Sequence, residues 1–254
     1  MNYAFLDKYA NLDTKIHRID PRVKIITLLA FIFFVIFTPI TAFIKFYFYF
    51  LVIFSIILIS RVPLTFIFKR SLVVVPFVLL VALFAPFLKE GEVLASVSPG
   101  IIDLAVTYSG ILVFLNVLMK SWLSVLAMVT LTTTTKSPEL LKGFEKLKMP
   151  KVMVMIISFM YRYLFVLVEE VMVMKRARDS RCFNISRIGH IKSIGSIIAV
   201  LFIRSYERGE RVYYAMLSRG FNGNIRTLDD FKIKGFDVFF SGIIFIILTS
   251  ILIF

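Results

Sequence analysis

The sequence predicts an all-α integral membrane protein, and three observations predict it. Of its 254 residues 59% are hydrophobic and 28 are Phe, and the mean hydropathy is +0.89. A soluble domain carries roughly 45–50% apolar residues, so the excess is too large for one water-soluble core. Several uninterrupted apolar runs approach the roughly 20 residues that a spanning helix needs. Finally, the 30 Lys and Arg are unevenly distributed between those runs, as the positive-inside bias of membrane proteins requires.

Residues 1–24 are polar and charged, with no short apolar stretch and no small-residue cleavage site of a signal peptide. About five spans are expected, the first four within 25–135 and the last within 235–254. The first covers 25–44, with Pro39 as a kink near its outer end. The second, 46–60, is short but dense in Phe and Ile. The third, 72–88, contains Pro76 and Pro86, tolerated where neighbouring helices re-satisfy the freed carbonyls. The fourth, 104–132, is long enough to tilt. The fifth, 236–254, closes the sequence.

Lys and Arg orient these spans. Lys8, Lys15, Arg18, Arg22 and Lys24 precede the first, and only Lys45 separates the first two. Arg61, Lys69 and Arg70 follow the second, Lys89 follows the third, and 19 cations lie from Lys136 to Lys234. The alternation places the N-terminus and the whole of 136–234 on the cytoplasmic side of the cell membrane.

Segment 136–234 is basic yet rich in apolar side chains. Arg162, Glu169 and Glu170 interrupt one apolar run, and the uncharged run 194–203 is too short to span. Three amphipathic helices are expected instead. The first opens at "SPELLKGFEKLKMP", with Ser137 as N-cap, Pro138 at the first helical position and Glu139 at the positive helix end. Pro150 marks its close. The second covers about 152–181 and the third about 187–219, with Gly220 in the left-handed position that ends a helix.

Catalytic and cofactor chemistry leave no mark. HExxH, GxSxG, CxxC and the P-loop are absent, and His17 and His190 are not in ligand spacing. No catalytic, cofactor-binding or metal-binding residue is assigned. Met153, Met155, Met160, Met172 and Met174 sit in one apolar helix, where adaptable packing explains them better than soft-metal binding. Glu169 and Glu170 point about 100° apart on a helix, a poor paired-carboxylate site. Glu207 with Arg211 reads as a salt-bridged helix face. Cys182 is the single Cys, so no intrachain disulfide exists, and its setting among arginines fits a reducing face. Lys120, with Asn116 one turn before it, lies inside the fourth span, where an ionisable group is costly and faces protein or a cavity. It marks either an intramembrane contact, within the bundle or with a partner, or a structural or snorkelling side chain.

One phrase is written twice. "ARDSRCFN" occupies 177–184 and "AMLSRGFN" occupies 215–222, with five of eight positions identical. Each copy closes a long helix with an arginine.

With "HRIDPRVKI" at 17–25, "SPELLKGFEKLKMP" at 137–150 and "LFIRSYERGERVYYAMLSRGFNG" at 201–223, the repeat resembles the transmembrane T component of energy-coupling factor (ECF) transporters. The likeness is nearest to the cobalt-transport subunit CbiQ and covers nearly the whole chain. The resemblance implies a non-enzymatic coupling subunit of an ATP-driven importer. Its partners would be two ABC-type ATPase subunits, a CbiM-like membrane substrate-capture subunit and the lipid bilayer, with no nucleic acid. It would bind no cofactor itself, ATP being hydrolysed by the partners. Carried over, the ATPase-docking residues are Ser180, Arg181 and Cys182 in the first copy and Ser218, Arg219 and Gly220 in the second. Cys182 stands where the family phrase has Gly, which leaves Arg178 as an alternative first docking arginine. Cobalt is the expected cargo, with nickel or a vitamin as alternatives. From a different class, a membrane enzyme or a basic membrane anchor would lack the ATPases.

Overall fold

The computed structural model describes residues 9–40, 42–84, 93–97, 104–181, 187–223 and 233–253. Cys182, Pro86 and the end of the last expected span at Phe254 lie outside them. The elements are α1 (Pro21–Phe37), α2 (Phe43–Ser60), α3 (Leu64–Leu72), α4 (Val75–Ala82), β1 (Val93–Val97), β2 (Leu104–Thr107), α5 (Tyr108–Thr134), α6 (Ser137–Lys146), α7 (Lys151–Arg181), α8 (Arg187–Ser218) and α9 (Gly235–Ile253). Two compact units divide the chain, Asn2–Gly143 with Phe231–Phe254, and Phe144–Asp230.

The first unit is a helical bundle around α5, which packs against α1, α2, α3 and α4, while α9 packs on α1 and α2. Its core joins Phe31 and Val35 of α1, Tyr49 and Ile53 of α2, Leu126 of α5 and Leu248 of α9. Phe31 meets Tyr49 edge-on with centroids 5.9 Å apart, and Phe50 stacks on Trp122 at 5.8 Å, geometries that aromatic quadrupoles favour. The outward faces remain apolar, with Phe33, Ile36 and Ile246 all more than half exposed. That pattern is what a bilayer requires of its solute.

Local sequence sets the helix limits, and several differ from the expected ones. Asp20 caps α1, its carboxylate accepting from the Arg22 N–H at 2.9 Å, and Pro21 takes the first helical position. The first expected span was to run through Pro39 with a kink. Instead α1 ends at Phe37, and Thr38 is extended at ψ 131°, because a residue before proline disfavours the α region. At 17 residues, α1 is only about 25 Å long. The third expected span began at 72, but helix already starts at Leu64, so Lys69 and Arg70 are helical. Pro76 cannot donate to the Leu72 carbonyl, and the helix breaks between α3 and α4.

The fourth span starts at Tyr108 rather than 104, because residues 104–107 pair as β2 with β1 in an antiparallel hairpin. This hairpin is an addition to the expected all-α architecture. Asp237, 2% exposed, accepts from the Lys234 N–H at 2.9 Å and so completes half of a capping box for α9.

In the second unit, α7 and α8 are long helices packed on one another. The chain enters α7 through a tight stop of α6. Lys148 is left-handed at φ 69°, the Met149 N–H returns to the Phe144 carbonyl and the Lys148 N–H to the Glu145 carbonyl, which is the Schellman arrangement. Pro150 then opens α7, its carbonyl accepting from Met153 and Val154.

Among the described residues six helical segments are long and apolar enough to cross a membrane, and these include α7 and α8. That exceeds the five expected spans. α1, at 17 residues, is not one of the six, while α7 and α8 are added because their charges do not lower their mean hydropathy enough to exclude them. These two helices also bury least, with Val154 the only fully buried residue reported on either.

Candidate functional site

The repeated phrase ends α7 and α8 as anticipated, and the two ends are built alike. In the first copy the Ser180 hydroxyl donates to the Ala177 carbonyl at 2.9 Å, and in the second the Ser218 hydroxyl donates to the Tyr214 carbonyl at 2.9 Å. Each serine closes a carbonyl of its own last turn, so the adjacent arginine is left to face outward. Arg181 and Arg219 are both exposed, and neither has an ion pair among the described residues.

At the second copy the helix stop is fully formed. Gly220 adopts φ 78°, the Phe221 N–H returns to the Met216 carbonyl at 3.0 Å and the Gly220 N–H to the Leu217 carbonyl at 2.9 Å. This is again a Schellman stop, with glycine where a Cβ would be strained. It fixes where Arg219 leaves the helix.

Arg178 differs from Arg181. Its guanidinium lies 2.6 Å from the Asp179 carboxylate, and its side chain is 17% exposed. It is paired within the chain, while Arg181 has no ion pair among the described residues. Both line a cleft of about 300 Å³ with Met174 and Ala177 of α7 and Ser196, Ile197 and Val200 of α8.

A two-armed clamp fixes how α7 and α8 meet. Glu170 receives Arg204 at 3.1 Å on one carboxylate oxygen and Arg208 at 3.3 Å on the other. Its side chain is 15% exposed, so the pair of cations meets a partly desolvated acid, where such bonds are strongest. By contrast the exposed Arg211–Glu207 pair at 3.7 Å contributes little. The sequence reading set Glu170 aside as a poor carboxylate pair with Glu169. Its partners are on the next helix, which spacing along one helix does not disclose. Arg181 borders the cleft beside Val200, and Arg219 lies 19 residues further along α8, so the two arginines are separated by roughly 30 Å at 1.5 Å per residue.

The bundle treats its cations in the opposite way. Lys120 donates to the Ile36 carbonyl at 2.7 Å and the Thr38 carbonyl at 2.8 Å, and Asn116 reaches the Ile40 carbonyl at 3.4 Å. These are the open carbonyls at the end of α1. Lys24 donates to the Thr134 carbonyl at 3.0 Å and the Thr135 hydroxyl at 3.3 Å at the end of α5, and to the His17 carbonyl at 3.0 Å. Lys45 donates to the Leu252 carbonyl at 2.7 Å at the end of α9.

Three lysines therefore cap three different helices. In an apolar surround a bare carbonyl is costly, and the negative end of the helix dipole favours a cation. Lys24 and Lys45 were not singled out from the sequence. The available signal was a lone lysine flanking an apolar run, which topology reading counts only as charge.

Among the described residues no group of His, Cys, Asp or Glu is placed to hold a metal ion.

Exposed apolar helices around a satisfied core define a multi-pass membrane protein, and the comparisons give its class. The profile of the CbiQ cobalt transport protein family matches residues 13–228. An uncharacterised protein of Methanocaldococcus jannaschii is 30% identical over 98% of this chain and 85% of its own length. The cobalt transport protein CbiQ of Rhodobacter capsulatus is 31% identical over 39% of this chain and 40% of its own. The energy-coupling factor transporter transmembrane protein EcfT of Bacillus selenitireducens is 28% identical over 86% of this chain and 84% of its own. The chain is a membrane transport component of the ECF T-component type. It belongs to the CbiQ cobalt transport protein family.

Proposed function

We propose that the protein is the non-catalytic coupling subunit of an ATP-driven importer, with the N-terminus on the cytoplasmic side. Arg181 and Arg219 dock into two ABC-type ATPase subunits, which hydrolyse the ATP. A separate membrane subunit captures the substrate, and cobalt ion is the cargo.

One observation carries the reading. Two exposed arginines, without ion pairs among the described residues, close two long helices, roughly 30 Å apart by helix rise, and similar local bonding presents each of them. A guanidinium fork offers five donors in fixed geometry to a carboxylate-lined groove. Two such forks at that separation suit two similar partners. The Glu170 clamp joins α7 to α8 as one unit, so movement at one end is carried to the other. The names of the CbiQ and EcfT relatives support the transport role and the choice of cargo.

The test is co-purification with candidate ABC-type ATPase subunits co-expressed with this chain. The intact chain retains them, Arg181→Glu and Arg219→Glu each weaken retention, and the double variant loses it while remaining folded. Retention indifferent to both arginines would make them membrane-face anchors instead.

A further inference from the structure

An open groove of about 520 Å³ lies between α3–α4 and α5, within the range of about 300–1,000 Å³ typical of small-molecule sites. Its walls include Leu72, Val78, Leu115 and Met119, and Trp122 lies on its floor, stacked on Phe50 and 6.2 Å from the ring of Phe68. The lining is apolar apart from two serines and one cation, Lys69. Lys69 and its neighbour Arg70 form the last turn of α3. Both are exposed, and neither has an ion pair among the described residues.

The charge around this groove has one sign. The sequence contains no Asp or Glu from Pro21 to Lys89, and none from Leu104 to Pro138. Every residue of α3, α4 and α5 lies within those two ranges. Three cations inside the bundle, Lys24, Lys45 and Lys120, are tied to helix carbonyls. Lys69 and Arg70 have no such partner among the described residues; Lys69 lines the apolar slot and Arg70 follows it in the same last turn of α3. A long apolar chain with an anionic head fits that arrangement, the chain against Val78 and Trp122 and the phosphate against the two cations. A zwitterionic headgroup would bring a positive charge to helices α3, α4 and α5, which have no carboxylate to receive it.

We propose that this groove is a binding site for one anionic phospholipid, with an acyl chain between α4 and α5 and the headgroup phosphate held by Lys69 and Arg70. The site is separate from the arginine-tipped helices and does not rest on their role.

Trp122 is the single tryptophan and lies in the groove, so its fluorescence reports occupancy. The full chain is reconstituted in vesicles with increasing fractions of brominated phosphatidylglycerol or brominated phosphatidylcholine. The brominated anionic lipid quenches Trp122 at a lower mole fraction than the zwitterionic one. The double variant Lys69→Gln, Arg70→Gln loses that preference by roughly fivefold or more, since each cation near a membrane surface contributes about that factor. Val78→Phe, which fills the slot, lowers the quenching at saturation. Equal quenching by the two lipids would overturn the proposal without recourse to any variant. So would a preference that survives removal of both charges, or quenching that ignores Val78→Phe.

Discussion

The bundle and the α7–α8 pair contain the same kinds of residue and use them differently. In the bundle, Lys24, Lys45 and Lys120 each close the end of a neighbouring helix. The remaining apolar surface faces outward, as lipid demands. In α7 and α8, one acid, Glu170, and two arginines, Arg204 and Arg208, hold the pair together, while the arginines at the tips have no ion pair among the described residues. Apolar side chains such as Met160, Met172, Phe202 and Tyr214 are more than half exposed there. The bundle is complete as it stands.

Breaking the bundle's self-sufficiency has the largest expected effect. Lys24 is 6% exposed and lies near the carboxylates of Glu139, Asp237 and Asp20. Lys24→Met keeps the bulk but strands the Thr134 and His17 carbonyls and leaves buried acids uncompensated. A loss of about 3 kcal/mol is expected, read as a fall in the thermal midpoint in detergent. Lys120→Met removes two charge-assisted bonds at the end of α1 and costs about 2 kcal/mol. If both variants unfold like the parent, the capping account of the bundle is wrong.

A smaller effect is expected from the clamp. Glu170→Gln leaves Arg204 and Arg208 without their shared acid, on side chains that are 55% and 38% exposed. Solvent screening limits the loss to about 1 kcal/mol. Faster amide exchange confined to α7 and α8 would locate it, and unchanged exchange would remove the clamp from the account.

The smallest effect concerns pH. His17 is half-buried, bonded to the Thr14 hydroxyl at 2.7 Å and the Tyr9 carbonyl at 3.1 Å. Burial is the main cause holding its pKa below the ordinary 6.5. The folded state thus favours neutral His17. Its contribution is present above pH 6.5 and is lost as pH falls through the lowered folded value. Stability should decline on acidification below pH 6.5, and His17→Gln should flatten that slope. An unchanged slope would show that other groups set it.

Much of this division was legible in the sequence. Apolar run lengths gave the membrane class, and the repeat placed Arg181 and Arg219 at helix ends before any geometry. Gly220 announced its left-handed turn, because few other residues tolerate φ 78°. Boundaries failed where proline acted on its neighbours. Pro39 ended α1 at Phe37, seven residues short of the expected end, instead of kinking it, and Pro76 split a helix whose start was placed eight residues late. The carbonyl caps failed for another reason. Lys24 and Thr134 are 110 residues apart, and only the packing of α1 on α5 brings them together. Lys120 was conspicuous in the sequence because it interrupted an apolar run, yet its acceptors on α1 were not. The Glu170 clamp was hidden in the same way, its arginines being 34 and 38 residues away.

Cross-linking at the two helix tips tests the central claim most directly. A photo-reactive residue in place of Ser180 or Ser218 leaves both arginines intact. In the complex with co-expressed ATPases, the account predicts an ATPase adduct from each position. Arg181→Glu should abolish the first adduct and spare the second, and Arg219→Glu the reverse. Adducts that form only with lipid, or ATPase adducts that ignore both arginines, would contradict it.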